Sequence, residues 1–114
     1  MKRCFSLLCA LALLLAACAC GDDPVPPTIR VGVALYQQDD TFISTVVQHL
    51  QQLALAEEKD RHVKINLNVV DGRGSQSVQN EQVDRFLDQG CDVLCVNMVD
   101  RTAAAVIIDK AQAV

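Results

Sequence analysis

Positive charge is scarce in this chain, where 10 lysines and arginines stand against 14 aspartates and glutamates for a net charge of −4. No basic cluster occurs anywhere, so nothing in the sequence builds a face for nucleic acid phosphates or an anionic bilayer. Long apolar runs are missing as well. The longest, residues 5–19, has 15 residues, whereas a membrane-spanning helix needs about 20. No G-x-S-x-G elbow, Walker loop or G-x-G-x-x-G follows a strand, which disfavours hydrolase and nucleotide-binding chemistry. Asp71-Gly72-Arg73-Gly74-Ser75 is too short for a phosphate loop and follows the second strand. His49 and His62 read as solvated residues on and just after a helix. No enzymatic activity is expected.

What is present begins with Lys2 and Arg3 ahead of the apolar run, which closes in Leu15-Ala16-Ala17-Cys18. A basic start, an apolar stretch and small residues before a cut mark an exported precursor. The cysteine directly after them resembles the lipobox of bacterial lipoproteins. That resemblance implies a signal peptide over residues 1–17 and lipidation of the Cys18 thiol. It implies an extracytoplasmic location, periplasm or cell surface, tethered to a membrane through the lipid anchor. Removing residues 1–17 leaves 97 of the 114, enough for one small domain. Eight basic and 14 acidic residues then remain, a net charge of −6.

Six cysteines suggest a disulfide framework until they are placed. Cys4 and Cys9 leave with the signal, Cys18 is the lipid site and Cys20 lies in the tether. Cys91 and Cys95 sit four residues apart along one strand face, about 13 Å at ~3.3 Å per residue. A disulfide requires Cα atoms within about 7 Å, so these two are expected as buried thiols acting as small hydrophobes. They carry no metal-ligand spacing.

Residues 18–28 form a polar, proline-rich linker. Ile29 to Leu35 is apolar on both parities, as a strand covered on both faces should be. Phe42, Ile43, Val46, Val47, Leu50, Leu53 and Ala54 recur at helical spacing, with Gln48, Gln51, Gln52 and Glu58 opposite. Val63, Ile65, Leu67 and Val69 alternate with polar residues and predict a second strand nearer an edge. A polar helix over residues 75–89 carries a stripe of Val78, Val83, Phe86 and Leu87, and Gly90 supplies its stop. A third strand spans residues 93–96. An alanine-rich helix over residues 102–113 turns Ile107, Ile108 and Ala111 inward. This βαβαβα order argues for an α/β fold, a parallel sheet with flanking helices and right-handed crossovers. Doubly wound domains usually carry five or six strands, so residues 29–114 are expected to be the incomplete first part of a larger unit; a complete minimal domain is the alternative.

In open α/β sheets, ligands bind beyond the carboxyl ends of the strands. Those ends offer Asp40, Asp71, Asn97 and Asp100 on one rim, with the aromatic Phe42 beside them. A carboxylate accepts charge-assisted bonds from hydroxyls, an amide both donates and accepts, and a phenyl face covers apolar C–H groups. That combination suits a neutral sugar. Each residue also has a plainer role: helix capping for Asp40 and Asp100, core packing for Phe42, turn formation for Asn97 and Asp71-Gly72.

Three stretches decide between these readings. They are Val31-Gly32-Val33-Ala34-Leu35-Tyr36 with Asp39-Asp40-Thr41-Phe42, then Gln79-Asn80-Glu81-Gln82-Val83-Asp84, then Asn97-Met98-Val99-Asp100 with Ala103-Ala104-Ala105. In order and content they resemble the N-terminal lobe of the periplasmic galactose/glucose-binding proteins, a type I periplasmic binding protein fold and the substrate-binding subunits of methyl-galactoside ABC importers. The resemblance implies a hexose ligand, D-galactose or D-glucose, with Asp40 accepting bonds on the O4 side, Asn97 binding a neighbouring hydroxyl and Phe42 stacking on the ring. It implies an ABC permease as partner and a chemoreceptor as a second one. The opposite lobe, the hinge strands and the family's structural calcium loop match nothing in this segment, for which no cofactor is expected. Arg101 departs from the proline that often opens the third helix, and Gln38 departs beside the acidic pair. Two other readings compete. A truncated, non-binding lipoprotein remnant is one. A receiver-like phosphoacceptor domain is the other, and it would need an aspartate where Asn97 stands.

Overall fold

A computed structural model describes residues 24–114. The signal peptide expected over residues 1–17 and the lipidation expected at Cys18 lie outside the described residues. Strand β1 (Thr28–Leu35) leads to helix α1 (Thr41–Arg61), then β2 (Lys64–Asp71), α2 (Gln76–Asp88) and β3 (Val93–Val96). A 3₁₀ turn, Arg101–Ala103, opens into α3 (Ala104–Gln112). The three strands form one parallel sheet in the order β2-β1-β3, with Val33 registered against Val69 on one side and Cys95 on the other.

Strand order places the helices. The chain moves one way from β1 to β2, then back across β1 to reach β3. Keeping both crossovers right-handed puts α1 on one face and α2 on the opposite one. The two cores match this: Val33, Leu35 and Ile43 pack with Val47, Leu50, Leu67 and Val69 on the α1 face. Ala34, Val83, Phe86 and Ile107 pack with Val70, Leu94 and Val96 on the face of α2 and α3. Alternating residues of β1 thus feed opposite cores, as the apolar-on-both-parities pattern anticipates.

Two glycines are needed here. The Phe86 ring of α2 lies where a side chain on Gly32 would begin, only 2.7 Å from an ideal Cβ. Gly90 follows α2 with φ of 66°. Its N–H donates to Leu87 O at 2.9 Å and that of Cys91 donates to Phe86 O at 3.0 Å, which is the Schellman arrangement that ends a helix at a glycine.

Several expectations about side chains are corrected. Burial in β1 is confined to its carboxyl half, because only there do helices lie over both faces. Cys95 is exposed and Cys91 half-buried, both as free thiols. β3 pairs with β1 alone among the described strands, and α1 reaches the sheet through Ile43, Val47 and Leu50, so the face of β3 that carries Val93 and Cys95 is bare. Ile108 and Ala111 face solvent, and Ile107 alone of the expected trio is buried. The entry of this helix is a 3₁₀ turn from Arg101, which rotates the faces away from the uniform spacing assumed over residues 102–113. Glu58, expected on the polar side of α1, turns inward and accepts the Ile65 N–H at 2.6 Å, holding the start of β2.

Candidate functional site

The carboxyl ends of β1 and β3 are neighbours, and their loops leave for opposite faces of the sheet. A crevice opens at such a reversal of direction, where open α/β sheets take their ligands. Residues 36–40 link β1 to α1 and residues 97–100 follow β3 at that reversal.

Asp40 is the N-cap of α1, in extended backbone at φ −65°, ψ 124°. Its Oδ1 accepts the Ile43 N–H at 3.0 Å, and its Oδ2 accepts the Tyr36 hydroxyl at 2.5 Å. A carboxylate offers about four lone-pair sites, so these two bonds leave acceptor capacity spare. The Tyr36 hydroxyl, then the Ile43 amide, hold the Asp40 carboxyl below the usual carboxylate range, against a smaller opposing effect of desolvation. The same bond pushes the Tyr36 phenol up, aided by desolvation and by the charges of Asp40 and Asp39.

Phe42 follows in the first turn of α1 and is 73% exposed. Core packing, the plainer reading of that position, is therefore excluded. Its ring borders a mostly apolar groove of about 300 Å³ with Val46, Leu50, Val33, Cys95 and Asn97. Asn97 is the first residue after β3, its N–H donating to Ala34 O at 2.9 Å and its Oδ1 accepting the Tyr36 N–H at 3.3 Å.

The other two rim acids are committed elsewhere. Asp71 Oδ1 accepts the N–H groups of Gln38 and Arg73 at 3.1 and 2.9 Å. It lines a separate open hollow with Gln37, Gln38, Asp39 and Arg73. Asp100 caps the 3₁₀ turn, its Oδ1 accepting from Thr102 N and Oγ1 at 2.9 and 2.7 Å, bonds that lower its carboxyl pKa. The structure brings Phe42 and Asn97 to one groove, with Asp40 outside its lining and linked to Asn97 through Tyr36, and leaves Asp71 and Asp100 as loop fasteners. Among the described residues, no group of three or more His, Cys, Asp or Glu is gathered to hold a metal ion.

Residues that patterning passed over hold the site together. Gln79 is fully buried. Its Nε2 donates to Asn97 O at 2.8 Å and Ala34 O at 3.4 Å, and its Oε1 accepts the Val99 N–H at 3.0 Å. One turn earlier, Gln76 Oε1 accepts the Asp100 N–H at 2.7 Å. Gln82, also buried, donates to Asp71 O at 2.7 Å. Three glutamines of α2 thus hold the ends of β2 and β3, a task that a stripe of apolar residues does not reveal. The available signal was the polar block Gln79 to Asp84, which helical amphipathicity does not require.

Comparison with known proteins agrees with this fold. Residues 31–114 match the model of the family described as "periplasmic binding protein domain". The chain is 38% identical over 87 residues to the D-galactose/methyl-galactoside binding periplasmic protein MglB of Haemophilus influenzae, a match covering 73% of this chain and 24% of that protein. The chain therefore spans about a quarter of that relative's length. In fold it is similar to an ABC transporter solute binding protein of Mycobacterium smegmatis, solved with bound glycerol. The TM-score is 0.59 at 24% identity, over 75% of this chain and 28% of that one. The matched relatives are binding proteins by name, not enzymes.

Proposed function

Because the chain belongs to the periplasmic binding protein domain family, we propose that residues 29–114 form the first part of the N-terminal lobe of a hexose-binding subunit of an ABC importer. One observation carries the reading: the Phe42 ring stands 73% exposed on a groove it shares with Asn97, two residues after Asp40. An unpartnered phenyl beside an amide and a carboxylate offers an apolar face for the C–H side of a pyranose and polar partners for its hydroxyls. A relative named for D-galactose and methyl-galactoside binding supports the ligand class.

In this reading Asp40 accepts hydroxyls on the O4 side of the sugar, which admits D-galactose and D-glucose alike. Asn97 binds a neighbouring hydroxyl, and Phe42 stacks on the ring. A second lobe closes over the sugar by hinge motion, and the closed form delivers it to the permease. A chemoreceptor that reads the same closed form is a second partner. Residues 1–17 serve as the export signal, and residues 18–28, lipidated at Cys18, tether the lobe outside the cytoplasm. The full-length protein binds the sugar and hands it over; it catalyses no reaction.

The test is calorimetric titration of D-galactose and D-glucose into the full-length protein that carries this lobe, and into the 114-residue chain by itself. The expected result is saturable binding of both sugars by the former and negligible heat from the latter. Absence of binding by the full-length protein overturns the hexose assignment. Micromolar binding by the single chain overturns the need for a second lobe.

A further inference from the structure

We propose that Tyr36 is the positioning residue of this site, setting Asp40 and Asn97 against each other from the single point where the three strand-end loops meet. The proposal rests on the hexose reading above and deepens it. Tyr36 is the first residue beyond β1, and each of its polar groups is used on a different loop. Its N–H donates to Asn97 Oδ1 at 3.3 Å, reaching the end of β3. Its carbonyl accepts the Gly74 N–H at 2.7 Å, reaching the loop after β2. Its hydroxyl donates to Asp40 Oδ2 at 2.5 Å, across its own loop.

The two bonds toward the site are specific in what they fix. The Tyr36 amide can only donate, so it settles which end of the Asn97 side chain lies inward. The Nδ2 donors are thereby left for a ligand. The Asp40 bond does not serve capping, since Oδ1 alone receives the Ile43 amide. Its length is that of a charge-assisted O–H···O⁻ bond, and it holds the carboxylate from the strand side while the helix holds it from the other. Gln79 supports the backbone of Asn97, whereas Tyr36 orients its side chain. Without the hydroxyl, Asp40 keeps its cap and loses the contact that fixes its second oxygen.

Two measurements test this separately from the ligand assignment. Tyr36 is the sole tyrosine of the chain and no tryptophan is present, so ultraviolet titration of the 114-residue chain reads this one phenol. Asp39 and Asp40 are the charged groups that act on it. The phenol of the unaltered chain is expected to ionise above its ordinary value of 10.0, and in Asp40→Asn to fall back toward it, because the variant keeps a capping side chain while removing the charged acceptor. An unchanged titration in that variant overturns the proposal whatever the ligand is. In the full-length protein, Tyr36→Phe retains the backbone bond to Asn97 and is expected to lower D-galactose affinity about tenfold with the thermal unfolding midpoint little changed. Tyr36→Phe binding galactose as tightly as the unaltered protein overturns the positioning role and leaves the hexose reading standing. Failure of the unaltered protein to bind either hexose removes both.

Discussion

Replacing Gln79 by leucine is expected to cost more than any other single change of similar volume in α2, and the structure supplies the magnitude. The side chain is fully buried and satisfies Asn97 O and Val99 N, with a longer contact to Ala34 O. Ala34 O keeps the Asn97 N–H as a donor, so two backbone groups lose their partner. At about 1–3 kcal/mol for each group left unsatisfied, the loss is at most roughly 2–6 kcal/mol, both groups being only part-buried. Gln82→Leu is the control. It removes the bond to Asp71 O but also removes Gln82 Oε1, a buried acceptor with no hydrogen-bond partner. Those two effects offset, and a change within about 1 kcal/mol is expected. Urea denaturation followed by circular dichroism measures both variants. Equal midpoints for the two would refute the claim that Gln79 clasps the β3–α3 loop.

Other outcomes follow from the same contacts. Gly32→Ala places a methyl group against the Phe86 ring at 2.7 Å and is expected to destabilise by about 1–3 kcal/mol, read as a lower denaturation midpoint. Phe42→Ala removes a ring that is 73% exposed, so stability should stay within about 0.5 kcal/mol while hexose affinity of the full-length protein falls; a large stability loss instead would return Phe42 to the core. The carboxyls of Asp40, Asp92 and Asp100 all titrate below their ordinary value of 3.8 in the folded chain. Their contribution is complete above 3.8 and is lost as pH falls through the lower folded values. Denaturation midpoints should therefore decline on acidification below about pH 4, and Asp40→Asn should shallow that decline. Cys95 is exposed and Cys91 half-buried, so mass-spectrometric mapping of alkylation should find Cys95 modified before Cys91.

The sheet and its helices were legible because their signals are local. Alternation in residues 63–70, the apolar run before Tyr36 and the glycine after α2 each report a backbone period or a required φ. The candidate rim was legible for a topological reason: open α/β sheets take ligands at strand ends, and Asp40, Phe42 and Asn97 follow strand ends. Exposure was harder to read. Cys95 and Ile108 have the composition of core residues, yet their burial depends on what packs against β3 and α3, which no period records. The glutamines failed for the opposite reason. A polar residue inside a helix reads as solvated until it is known that a strand end arrives with unpaired backbone groups, and Gln79, Gln76 and Gln82 answer groups on β1, the β3–α3 loop and β2. Tyr36 was visible only as part of a matching stretch; its three bonds join loops that are distant in sequence.

The most direct measurement titrates D-galactose into the full-length protein in which Asp40, Phe42 and Asn97 are all alanine, beside the unaltered protein, with circular dichroism verifying that both are folded. The account predicts saturable binding by the unaltered protein and none by the variant. Equal affinity in the two would contradict it, since the crevice between β1 and β3 would then have no part in holding the sugar.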